Sequence, residues 1–107
     1  MGKNDEDMAL AVNHLIDQGG GQCVVSDQKV LASLPLKIGG LMSVESAEQI
    51  VTKQRALHQA HLRLGVKLDA PFLNLAFLAL PVIPTLKITD RGLFDITHFK
   101  FLDLKVK

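Results

Sequence analysis

Tryptophan and tyrosine are absent from this 107-residue chain, and cysteine occurs once. Five phenylalanines are therefore the whole aromatic supply apart from histidine, too few for a surface that grips bases by repeated ring stacking. The lone Cys23 excludes an internal disulfide. It stands in the apolar run Cys23-Val24-Val25, where a small buried hydrophobe is expected. Neither sign of charge dominates: twelve Lys and Arg face eleven Asp and Glu. Without a broad basic face to neutralise phosphates, nucleic acid is excluded as the expected partner. An uninterrupted apolar span is also missing, since Asn74, Pro81 and Pro84 break the longest stretch. The start, Met1-Gly2-Lys3-Asn4-Asp5, has no apolar signal core, and Glu6 stands where a myristoylation signal carries Ser or Thr. A soluble, cytoplasmic protein with no membrane partner is expected.

What is present suits one domain spanning 1–107, with 48% hydrophobic and 21% charged residues and a size that buries about 60 to 70% of the unfolded surface. Asn4 can cap a helix whose first turn carries Asp5, Glu6 and Asp7, with Asp7 at the capping-box position and Met8, Val12, Leu15 and Ile16 as its core face. Gly19 is the expected stop. Gln22 to Ser26 and Lys29 to Leu34 read as a hairpin closed by Asp27-Gln28. A type I′ turn there would put a non-glycine at a costly position, about 1 kcal/mol, which favours a different turn type.

Ser43 is the expected cap of a second helix reaching Leu64, with Ala47, Ile50, Val51, Leu57 and Leu64 as its core stripe and Gly65 as its end. Asp69 and Pro71 can open a short third helix over residues 72–80, although the same run also fits a buried strand. After Pro84, alternation predicts two short strands around Asp90-Arg91-Gly92. A terminal strand region follows through Phe99, Phe101, Leu102, Leu104 and Val106, with a one-residue slip after Phe101. The expected class is α+β: a small single domain in which hairpin and terminal strands form a sheet against two longer helices and a short third one.

Little in the chain carries chemistry. There is no His-x-His, no His-Glu-x-x-His and no cysteine pair. His58 and His61 share a helix face, but His61 falls on the Leu57/Leu64 stripe, His58 lies at its flank, and no third ligand has matching spacing. His14 and His98 have no sequence link to that pair. Gly19-Gly20-Gly21 follows a helix and precedes a strand, the reverse of a phosphate-binding loop. Ser26, Ser33, Ser43 and Ser46 lack a Gly-x-Ser-x-Gly surround. The expectation is no catalytic, cofactor-binding or metal-binding residue. Asp90 and Arg91 in their turn, with Leu73, Phe77, Leu80 and Ile83 from the more apolar segment, are the candidates for a domain or subunit contact. Their exposure would make the chain a homo-oligomer.

The block Phe72 to Asp95, FLNLAFLALPVIPTLKITDRGLFD, combines a short apolar run, Pro81, Pro84 and the Thr89-Asp90-Arg91-Gly92 turn. Together with Asn4-Asp5-Glu6-Asp7-Met8-Ala9-Leu10-Ala11-Val12, Gly19-Gly20-Gly21, Leu34-Pro35-Leu36 and Gly40-Leu41-Met42-Ser43, it resembles the C-terminal domain of microbial adenine deaminases, in the amidohydrolase superfamily. The likeness runs over nearly the whole chain. It departs at Gln28, where relatives usually have glycine. The resemblance implies a structural or interaction portion of an enzyme that converts adenine and water to hypoxanthine and ammonia in purine salvage. It also implies a divalent metal, manganese, iron or zinc, in a separate barrel domain that would be a partner of this one. Relatives usually carry a strand and a His/Asp/Ser-rich motif just upstream, so a fragment, inactive alone, is expected. The alternative is a free-standing binding or regulatory module derived from that domain.

Overall fold

The structure, a computed structural model, describes residues 1–104 and forms two compact units, Met1–Lys67 and Leu68–Lys107. Among the described residues are three helices and five strands, so the α+β class expected from the sequence is the one observed. The strands do not join into one sheet. A two-stranded sheet belongs to the first unit and a three-stranded sheet to the second. Local alternation shows that a segment is extended; it carries no information on which distant edge will pair with it.

In the first unit, α1 (Asp5–Gln18) starts where the Asn4 side chain accepts from the Asp7 amide at 2.7 Å and stops at Gly19, whose φ of 83° is left-handed. Strands β1 (Gly21–Ser26) and β2 (Lys29–Pro35) pair antiparallel, with a bulge between Val24 and Val25. Gly21 is needed at the hairpin's open end, because a Cβ there would lie 2.2 Å from the Leu34 carbonyl oxygen. Helix α2 (Ala47–Arg63) begins at Ser46 rather than Ser43, through a capping box with Gln49. Ser43 instead accepts from the Glu45 amide in the preceding loop. Two serines three apart offer the same cap chemistry, and Ser46 has Gln at the reciprocating position. Gly65, at φ 83°, ends the helix.

The helices cover the hairpin's two faces. Ala11, with Leu10 and Leu15, packs against Cys23 and Val25, while Gln54 of α2 reaches Gln22 on the other face. Cys23, Val24, Val25, Leu34, Leu57, Ala60 and Leu64 are buried. The expected core face of α1 is corrected: Met8, Val12 and Ile16 are exposed, and Asp7 and Ala11 are buried instead. The helix is turned by its polar anchors, described below. On α2, Ala47 and Val51 are likewise exposed, Ile50 is half-buried, and the stripe holds from Leu57 onward.

In the second unit, α3 (Pro71–Ala79) carries proline in its first turn, and its N-cap Ala70 makes no side-chain bond. The helical reading of this run holds over the strand. Strands β3 (Leu86–Thr89), β4 (Gly92–Asp95) and β5 (Lys100–Leu102) form an antiparallel meander. The one-residue slip expected after Phe101 is corrected: β5 pairs with β4 in unbroken register, Phe94 opposite Phe101 and Leu93 opposite Leu102, and a left-handed residue, Phe99 at φ 50°, stands just before the strand. Leu104 lies outside the strand, and Lys105, Val106 and Lys107 lie outside the described residues. No helix among the described residues is long and apolar enough to cross a membrane.

Candidate functional site

Three polar clusters and one cleft are where chemistry or recognition has material to work with. The first is Asp7, read in the sequence as a capping-box acid. Its carboxylate is buried and accepts from the turn amides of Asp27 at 3.2 Å and Gln28 at 2.8 Å. Both turn residues have positive φ, 52° and 60°. The turn therefore has the I′ signature despite lacking glycine, which corrects the expected change of turn type. Two charge-assisted bonds, each worth about 1.5–3 kcal/mol, offset a left-handed penalty of about 1–2 kcal/mol at each of the two residues. Asp7 is thus a structural clamp between helix and hairpin. Farther along α1, Gln18 accepts from the Ser33 hydroxyl at 2.7 Å, and His14 lies 3.0 Å from the same oxygen. These contacts fix the rotation of α1.

Next come His58 and His61, placed together as their spacing predicted. The His61 ring is buried and its Nε2 lies 3.1 Å from His58 Nδ1. With Nδ1–H of His61 directed to the Val66 carbonyl at 3.4 Å, the His61 Nε2 lone pair accepts from His58. The facing nitrogens are each other's partners, an arrangement that leaves no pair of lone pairs aimed at a common metal. Among the described residues no three His, Cys, Asp or Glu side chains are grouped to hold a metal ion. Cys23 donates to the Ala11 carbonyl at 3.5 Å, and burial pushes its thiol pKa up, away from the reactive thiolate.

His98, which sequence reading left without a partner, pairs with Asp95 at 2.7 Å across one turn. Side-chain and backbone hydrogen bonds from His98 hold the Asp95 carboxyl below its ordinary range. The Asp-x-x-His spacing was the available signal for this pair.

The cleft belongs to the second unit. Pro81, Val82, Phe94, Phe99 and Phe101 line a space of about 390 Å³ together with Thr89, Asp90 and Arg91. Phe94 meets Phe99 at 5.2 Å and Phe101 at 5.0 Å, edge to face, and the Arg91 guanidinium lies 5.2 Å from the centre of the Phe101 ring. Asp90 and Arg91 form the two-residue turn between β3 and β4, closed by the Thr89 hydroxyl, which accepts from Arg91 N and donates to Gly92 O. Of the other contact candidates, Leu73, Phe77 and Leu80 are exposed and Ile83 is half-buried. The Phe99/Phe101 part of the cleft was missed, because those residues read as ordinary strand alternation and only the chain reversal at residues 96–99 brings them beside Arg91.

Comparison with known proteins decides the family. The adenine deaminase C-terminal domain family matches residues 1–100. This chain belongs to that family. The adenine deaminase of Edwardsiella ictaluri is 51% identical over 106 residues, covering 99% of this chain and 18% of that protein. The adenine deaminase of Bdellovibrio bacteriovorus is 51% identical over 107 residues, again 18% of its length. That of Moorella thermoacetica is 49% identical over 104 residues, 17% of its length. The chain thus spans less than a fifth of the curated relatives it matches.

Proposed function

We propose that this chain is the non-catalytic C-terminal portion of an adenine deaminase, which hydrolyses adenine to hypoxanthine and ammonia in purine salvage in the cytoplasm. The observation that carries the reading is the near-complete match of the chain to under a fifth of proteins named adenine deaminase. Hydrolytic deamination needs an activated water and groups to move protons onto the leaving amine. The clusters available here are spoken for: Asp7 holds a turn, His61 is bonded to His58 and Val66, and Cys23 is buried. The divalent metal and its ligands belong, on this reading, to a barrel domain in the remainder of the enzyme.

The role left to this portion is contact. On α3, Leu73 and Phe77 are exposed in half or more of their area, and Leu80 follows at the helix end. Such a face matches a docking surface for the rest of the polypeptide. The test is an ammonia-release assay on the purified 107-residue chain and on an adenine deaminase that includes it as its C-terminal part. The chain alone is expected to show no adenine turnover. Phe77→Asp in the longer enzyme is expected to lower its thermal stability and activity together. Ammonia release by the chain alone that scales with its concentration would overturn the reading.

A further inference from the structure

We propose that the outer edge of β1 receives, as a parallel third strand, the polypeptide that leads into Met1 in an adenine deaminase containing this chain; the proposal rests on the deaminase reading above. Backbone bonds at that edge point to the occupant. The Met1 amino group donates to the Cys23 carbonyl at 2.7 Å, and the Met1 carbonyl accepts from Val25 N at 2.8 Å. One residue that brackets Val24 in this way makes the bonding pattern of a parallel pair. Parallel strands need a crossover, usually a helix, and α1 lies between Met1 and β1 with Ala11 packed on Cys23 and Val25. Met1, α1 and β1 thus trace a strand–helix–strand unit, with Met1 at the end of the first strand.

The same edge continues past the Met1 bonds. Leu36 N donates to Gly20 O at 3.1 Å, so in the β1–β2 ladder the backbone groups of Gln22 and Val24 face β2 and those of Gly21 and Cys23 face away. The Cys23 N–H and the Gly21 carbonyl are therefore the next donor and acceptor along the edge that Met1 begins to fill. Burial agrees with an interior place for β1. Cys23, Val24 and Val25 are at most 1% exposed although they alternate between faces, whereas Lys29, Val30 and Leu31 of β2 are exposed. A strand buried on both faces has the pattern of the middle of a sheet, where an unpaired backbone group is costly. Met1 lies opposite Val24, so the residue before it lies opposite Cys23, on the face that α1 covers. The incoming strand must present a small apolar side chain there.

Hydrogen exchange followed by mass spectrometry tests the pairing on the purified 107-residue chain and on an adenine deaminase that includes it. Ammonia release decides the deaminase reading and Cys23 protection decides this one, so the two can fail separately. Relative to the Val24 amide, which faces β2 in both proteins, the Cys23 amide is expected to exchange about fivefold or more slowly in the longer enzyme, the size of one net backbone hydrogen bond. Met1→Pro in the longer enzyme removes the donor to the Cys23 carbonyl. It is expected to return Cys23 exchange toward the rate of the isolated chain while circular dichroism stays unchanged. Equal relative exchange of Cys23 in the two proteins, or protection that a folded Met1→Pro enzyme retains, would overturn the proposal. The wild-type comparison decides it even where the proline variant does not fold.

Discussion

Ten of the eleven buried residues among those described lie in Met1–Lys67, and Pro71 is the one buried residue of the second unit. The two units therefore use similar apolar sequence in different ways. In the first, a hairpin is covered on both faces by helices, so side chains such as Val24, Val25 and Leu57 are sealed from water. In the second, a nine-residue helix and three short strands leave Leu73, Phe77, Leu78, Val82, Ile88 and Phe99 exposed. Two packed layers are the minimum for a core, and short elements give each layer little area. The contrast separates a unit whose apolar side chains seal one another from water from one whose apolar residues are largely exposed. The first unit is not wholly closed, because the Met8/Val12/Ile16 stripe of α1 is also exposed.

The sharpest way to break this comparison is to delete matched apolar side chains. Leu57→Ala in the first unit is expected to cost about 2–5 kcal/mol, the range for a fully buried leucine. Phe77→Ala, half exposed in the second, is expected to cost about 1 kcal/mol or less in the isolated chain. Urea titration followed by circular dichroism measures both. Equal losses would show that the units do not differ as described.

A smaller effect is expected at the clamp that turns α1. Asp7→Ala leaves the amides of Asp27 and Gln28 without their acceptor and is expected to cost about 2–3 kcal/mol. Gln28→Gly, in the same turn, is expected to stabilise the chain by about 1 kcal/mol, since glycine adopts φ 60° without a Cβ clash. Slower amide exchange across β1 and β2 in Gln28→Gly, and faster exchange in Asp7→Ala, would tie both effects to the hairpin. Unchanged exchange in both variants would remove Asp7 from its assigned role.

The smallest effect concerns pH and belongs to the second unit. The carboxyl of Asp95 titrates below its ordinary value because His98 bonds to it. A depressed folded pKa gives stability that is present above the unfolded value, near 3.9 on the scale of about 3.9 for a free Asp, and lost as pH falls through the folded value. His98→Ala is therefore expected to return the Asp95 titration, followed by NMR, toward the ordinary range and to flatten the acid loss of stability in that window. An unshifted Asp95 titration in the variant would show that His98 is not the cause.

Much of the local structure is legible in the sequence because its causes are local. Asn4 as cap and Gly19 as stop of α1, Gly65 at the end of α2, Pro71 opening α3, and the strands around Asp90-Arg91 all follow from the chemistry of a few adjacent residues. His58 and His61 were also correctly placed together, and His61 correctly inside, since helical spacing alone sets their shared face. The block from Phe72 to Asp95 carried the family resemblance for the same reason: it is a linear pattern.

Tertiary structure decided what no linear pattern contains. A helix with apolar residues on one side and Asp7, Ala11, His14 and Gln18 on another buries the second side, because the carboxylate and amide of that side find partners on the hairpin. Hydrophobic periodicity weighs transfer from water and has no entry for a buried carboxylate with two donors waiting. The same long-range terms divided the strands between two sheets, let Gln28 occupy a left-handed turn position, and gathered Arg91, Phe99 and Phe101 around one cleft. The sequence by itself determined where elements begin and end; packing between residues far apart in the chain determined which faces they bury and which they leave exposed.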